Sequence, residues 1–125
     1  MLGIESLTTA AVSTALDAAS LRQQVLAANI ANAGRSDYAA QRVSFEATLA
    51  AAAQGRTGAG AGPSAPFDLR MRVEPDLLAD GTPRPIRLDE EVGSLAQNSM
   101  HYQALVKGLT KYLSLMATAV SEGKR

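Results

Sequence analysis

The chain has 125 residues, twelve basic and twelve acidic side chains, and no cysteine. That length holds one domain at most, the balanced charge speaks against a nucleic-acid footprint or a polybasic membrane anchor, and disulfides and thiol catalysis are ruled out. Two phenylalanines, three tyrosines and no tryptophan leave little for a thick core, so an alanine-rich chain of this kind is expected to form long helices that pack on other chains.

The N-terminal stretch has no basic residue before Arg22 and no compact apolar run. It lacks the pattern of a cleaved secretory signal, and nothing approaches the roughly 18 apolar residues of a membrane span. The expectation is a cytoplasmic chain or one exported without a cleaved signal.

Residues 3 to 33 read as a first helix. Ile4, Leu7, Ala11, Thr14, Ala18, Leu21, Val25 and Ala28 recur at alternating steps of three and four, the spacing of a coiled-coil seam. Val12, Leu16, Ala19, Leu26 and Ile30 add a second stripe beside it, a face wider than one partner needs. At 1.5 Å per residue the helix is roughly 45 Å long.

The middle changes character. "SFEATLAAAAQG" (44 to 55) has room for a short helix, and "QGRTGAGAGPSAP" (54 to 66) reads as a flexible loop. "FDLRMRV" (67 to 73) alternates apolar and charged residues as a strand does. Asp80-Gly81 signals a turn, Pro83 and Pro85 bar a helix, and a second strand is expected near Ile86.

A second long helix is expected over 88 to 121. Leu88, Val92, Leu95, Ser99, Tyr102, Val106, Leu109, Leu113, Met116 and Val120 again step by four and three, with Ser99 the polar member. Asp89, Glu90 and Glu91 suit the positive end of its dipole, and Gly123 reads as its stop. The expected fold is therefore mainly α: two terminal helices paired as a coiled-coil-like hairpin (1–33 and 88–125) around a small β or irregular segment (34–87).

Candidate chemistry is thin. His101 is the one histidine and reads as a surface or interface residue, since a zinc site without further His or Cys is unusual. Asp89-Glu90-Glu91 reads as dipole compensation before a cation site. "GAGAG" (58 to 62) lacks the Lys-Ser/Thr of a phosphate loop. No enzyme, cofactor or metal is expected.

"VLAANIANAGRSDYAAQRVSFEATL" (25 to 49) resembles the N-terminal signature of flagellar rod, hook and hook-associated proteins, a helix ending in Asn-rich sequence followed by a Thr-Pro-Gly-Tyr turn. Asn29, Ala31, Asn32 and Tyr38 match it. Leu95-Ala96, Asn98 and Tyr102 to Val106 are similar to the proximal-rod members of that family. Arg35, Ser36 and Asp37 stand where the family carries Thr-Pro-Gly, so the turn is expected to be redrawn, with Gly34 as a candidate helix cap. The amides of Asn29 and Asn32 would bond freed backbone groups, and Tyr38 would anchor the departing segment on a neighbour.

The resemblance implies a structural subunit of the flagellar basal-body rod, periplasmic and exported by the flagellar type III apparatus without a cleaved signal. It implies as partners further copies of itself, other rod proteins, the rod-to-ring adaptor FliE, the MS-ring and the export gate. The expected assembly interface comprises Leu7, Leu21, Val25, Asn29, Asn32, Tyr38, Leu95, Tyr102, Val106, Leu109 and Leu113. Termini that are loose alone and fold on assembly suit passage through an export channel. The alternative is a cytoplasmic helical adaptor or chaperone-like dimer.

Overall fold

The computed structural model describes residues 2–45 and 71–124, with the side chains of Leu2, Ile4 and Leu7 outside that description. Two helices dominate it: α1 spans Leu2–Ala31 and α2 spans Leu88–Glu122. Between them, β1 (Gln41–Ser44) and β2 (Arg72–Pro75) form a two-stranded antiparallel sheet with Val43 opposite Val73. The expected mainly helical architecture is what is seen. No described helix is long and apolar enough to cross a membrane.

The helices run antiparallel. Asn29 meets Glu91, Ala19 meets Asn98, and the stretch from Glu5 to Ser13 lies beside Tyr112 and Met116. Close approach comes from small side chains: Ala18 and Ala19 are each only 1 % exposed. They bring α2 near enough for Asn98 Nδ2 to donate to the Ala19 carbonyl and to Gln23 Oε1, both at 2.8 Å.

The packed face is rotated from the expected seam. On α2, Glu91 and Asn98 are buried, and Leu95, Leu105, Leu109, Tyr112 and Met116 are half-buried. Leu88, Val92, Val106, Leu113 and Val120, from the same expected seam, stay exposed. The apolar surface is broader than one helix can cover, so α1 takes one side of it and leaves the other. On α1, Ala18 and Val25 of the first stripe and Ala19 of the second are buried together, placing the contact between the two stripes.

The middle departs from expectation in three places. The strand expected over 67–73 is found at Arg72–Pro75; residues 67–70 lie outside the described part. Its partner is Gln41–Ser44, a stretch not read as a strand, and Ser44 closes β1 rather than opening a helix; residues 46–55 of that expected helix lie outside the described part, as does the loop 54–66. No strand forms at Ile86. An isolated bridge joins Leu77 to Pro83 instead, since Pro83 and Pro85 have no N–H to extend a ladder.

The Asp80-Gly81 turn forms as expected. Asp80 Oδ1 accepts from the Thr82 N–H at 3.0 Å and from the Thr82 hydroxyl at 2.6 Å. These bonds hold the Asp80 carboxyl below its ordinary range, the hydroxyl contributing most. Gly81 takes φ +85°, a left-handed conformation that costs other residues about 1 kcal/mol or more. Gly34, by contrast, has no positive φ and open space where a Cβ would lie. Gly81→Ala is therefore expected to lower stability by about 1 kcal/mol, and Gly34→Ala to leave it unchanged or slightly raised, as urea unfolding followed by circular dichroism would show.

The left-handed cap considered at Gly34 is thus replaced by another device. Helix α1 ends at Ala31, and the chain leaves through tight turn bonds from Ala33 N to Ile30 O and from Arg35 N to Asn32 O. Such bonds satisfy the last helix carbonyls without a positive φ. Asp37 does not adopt one either.

Candidate functional site

Among the described residues, a buried polar network lies where the helix hairpin meets the sheet. Asn29, on the last turn of α1, is 0 % exposed. Its Oδ1 accepts from the Gln41 N–H (3.0 Å) and the Tyr38 hydroxyl (2.9 Å); its Nδ2 donates to Gln41 O (2.9 Å) and Glu91 Oε2 (3.2 Å). All four positions of the amide are filled. Asn29 thus grips both groups of the Gln41 peptide, as a neighbouring strand would, and fixes where β1 begins.

Glu91, 2 % exposed, continues the network. Its Oε1 accepts from an Arg84 terminal nitrogen at 2.7 Å, and Arg84 Nε donates to Asp76 Oδ2 at 2.5 Å. The Glu91 and then the Asp76 carboxylates push the Arg84 guanidinium above its already high ordinary value, so it stays charged. The backbone closes the ring: Asp76 N–H donates to Ala40 O, and Arg84 N–H to Asp76 O. A buried carboxylate is tolerable only when paired and hydrogen-bonded in this way.

Asn32 Nδ2 donates at 2.8 Å to the Ala28 carbonyl, which also accepts the Asn32 backbone N–H at 3.1 Å, so the amide doubles a helix bond where a freed group had been expected; its Oδ1 accepts from Arg35. Arg35 and Asp37, two of the residues standing in for Thr-Pro-Gly, form a two-pronged ion pair with bonds of 3.1 and 2.7 Å. The pair is exposed, and Arg35 holds the Asp37 carboxyl below its usual range. Tyr38 sends its hydroxyl to Asn29 of its own chain, where a neighbour had been expected. Tyr38→Phe removes that one bond and is expected to cost about 0.5–1.5 kcal/mol in thermal unfolding.

The expected interface residues divide. Asn29 and Val25 are buried; Leu21, Asn32, Tyr38, Leu95 and Leu109 are half-buried within the hairpin or its junction. Tyr102, Val106 and Leu113 are 41, 39 and 51 % exposed. The side chain of Leu7 lies outside the described part. Sequence reasoning missed Arg84 and Asp76, and read Glu91 only as dipole compensation and Asn98 only as part of the family pattern. Glu91, Asn98, Leu105 and Tyr112 do share a seven-residue spacing, which is the row facing α1.

An open groove of about 540 Å³ flanks the clamp, lined among others by Arg22, Arg42, Arg84, Glu91, Ser94 and His101. Its chemistry is structural. Glu91 and Asp76 are engaged by Arg84, and Glu90 pairs with Arg87 at 3.2 Å. Ser94 and His101 are seven residues apart on one helix, roughly 10 Å along its axis, too far for a nucleophile and its base. Among the described residues no group of His, Cys, Asp or Glu is placed to hold a metal ion.

Comparison with known proteins gives the arrangement a family. No protein-family model matches the chain. It is similar to the flagellar basal body rod protein FlgB of Proteus mirabilis, 31 % identical over 125 aligned positions that cover 87 % of this chain and 90 % of the relative. The chain belongs to the flagellar basal-body rod protein family. At 87 % of the chain, the alignment must reach into both helices and span the segment between them.

Proposed function

We propose that the chain is a FlgB-type subunit of the proximal flagellar rod, a structural protein that assembles through its terminal helices. The observation carrying this is the apolar row left uncovered on α2. Val92, Val106, Leu113 and Val120 are 39 to 58 % exposed and fall at multiples of seven residues along 28 positions. A row so regular on one long helix fits the groove of another helix. Leu7, Leu21, Val25, Leu95, Tyr102 and Leu109 complete the proposed assembly interface, and the Asn29–Asn32–Tyr38 junction sets the angle at which each subunit leaves the bundle. Every subunit of a helical assembly must leave at the same point, and a saturated buried amide such as Asn29 fixes that point.

On this reading the chain is exported by the flagellar type III apparatus without a cleaved signal. It joins the periplasmic rod beside further copies of itself, other rod proteins, FliE, the MS-ring and the export gate. Mass spectrometry of purified basal bodies from the source cell tests this. The expected result is the chain in the rod fraction with its N-terminus intact. A soluble cytoplasmic dimer, absent from basal bodies, would instead establish the helical-adaptor alternative.

A further inference from the structure

Of the six aspartates only Asp80 is followed by glycine, and no asparagine is. Such a pair carries a chemistry of its own. The Gly81 nitrogen, once it loses its proton, can attack Cγ of Asp80. The protonated carboxyl gives up its hydroxyl as water, and a succinimide ring closes. Water then adds back at either ring carbonyl, and opening at the main-chain carbonyl leaves isoaspartate of unchanged mass. Glycine favours the step because no Cβ shields its nitrogen. Asp80 and Gly81 are both exposed, with nothing within 4 Å of the place where a Gly81 Cβ would stand, so water and base reach the pair.

The turn opposes each requirement of that reaction. The Gly81 N–H, source of the nucleophile, donates to Leu78 O at 2.9 Å. Asp80 Oδ1 accepts from the Thr82 N–H at 3.0 Å and from its hydroxyl at 2.6 Å. Bonds of this kind favour the ionised carboxylate, the form that has no hydroxyl to lose as water.

We propose that Asp80-Gly81 is a latent isomerisation site, held off by Thr82 and the Leu78 carbonyl, whose conversion to isoaspartate loosens the Asp76–Arg84 connection and with it the clamp. Isomerisation threads one further carbon, the former Asp80 Cβ, into the main chain between Asp80 and Gly81. The tight loop closed by Gly81 N–H to Leu78 O and by Leu78 N–H to Thr82 O at 2.8 Å must then take in that atom. The carboxylate that Thr82 holds moves to Cα at the same time. The arms of the turn run straight into the Leu77–Pro83 bridge and on to Asp76 and Arg84. Those two are joined by Arg84 N–H to Asp76 O at 2.9 Å and by Arg84 Nε to Asp76 Oδ2. Arg84 in turn donates to the buried Glu91, so a change at an exposed turn reaches the junction through covalent chain and two hydrogen-bonded pairs.

Ageing of the full chain at neutral pH and constant temperature tests this, with isoaspartate at position 80 quantified by chromatographic peptide mapping and electron-transfer fragmentation. The native chain is expected to isomerise there at least about tenfold more slowly than the same chain unfolded in urea, the protection that a locally closed turn gives. Thr82→Val loses the hydroxyl bond and keeps the N–H bond; it is expected to isomerise about fivefold faster than native, as the loss of one hydrogen bond implies. Thr82→Ser, which restores the hydroxyl, is expected to return the rate to within about twofold of native. The isoaspartyl form, separated after ageing and returned to buffer, is expected to melt below the Asp80 form from the same sample. Equal rates in buffer and in urea, or a folded Thr82→Val that ages like the native chain, would overturn the protective role of the turn. Equal melting of the two forms would overturn the link to the clamp. Should Thr82→Val fail to fold, the native rate in buffer against that in urea decides.

Discussion

Replacing Asn29 by aspartate is expected to destabilise the free chain by about 3–5 kcal/mol, a large share of what so small a core can supply. The substitution keeps size and shape. The Oδ1 acceptor bonds from Tyr38 and the Gln41 N–H survive. What changes is Nδ2, which donates to Gln41 O and Glu91 Oε2. An oxygen there faces two acceptors, one of them the buried Glu91 carboxylate, with no donor between them. The penalty combines an unsatisfied buried carbonyl with like charges in close contact. Urea unfolding at pH 8 checks this. A change below about 1 kcal/mol at pH 8 would mean that the junction is not held by the amide.

The second large effect concerns assembly and leaves the monomer nearly untouched. Val106→Asp combined with Leu113→Asp is expected to abolish incorporation into the rod and hence motility. Unfolding of the purified chain should stay within about 0.5 kcal/mol of native per site, as is usual for exposed positions. Both residues lie on the uncovered row of α2, 39 and 51 % exposed. A carboxylate is easily hydrated there in the free chain and becomes a buried unpaired charge once another helix covers it. Leu109, also expected at the interface, is a poorer probe. It is half-buried on the side facing α1, so a charge at that position disturbs the hairpin as well as the assembly. Swimming in soft agar and the rod content of basal bodies read the first part; chemical denaturation reads the second. Motile cells with the double variant would remove this row from the interface.

The two long helices were legible because periodicity over some thirty residues is a strong signal, and the Asp80-Gly81 turn because its chemistry is local. The register of packing was less so. Both stripes of α1 are apolar, and on α2 the row that meets α1 carries Glu91 and Asn98 while the more apolar row stays open, so apolar periodicity alone does not say which row meets the partner helix. Glu91 shows why the site was only half visible. As one of three consecutive acids at a helix start it looks like a solvated dipole-compensating residue, which Asp89 and Glu90 are. Its burial depends on Asn29, 62 positions away, and on Arg84, and no local pattern reveals such a meeting. Asn29 itself was singled out, though for the freed helix backbone rather than for the Gln41 peptide twelve residues on. Strand β1 was missed because "QRVS" is short and its only fully buried apolar residue is Val43.

The chain has no cysteine of its own, so a single introduced thiol can be read without interference. The most direct test of the central claim is maleimide labelling of Leu113→Cys, carried out on the free chain and on intact basal bodies. Rapid labelling of the free chain and protection in the basal body, reversed when the rod is dissociated, is the predicted result. Equal labelling in both would contradict assembly through this face of α2.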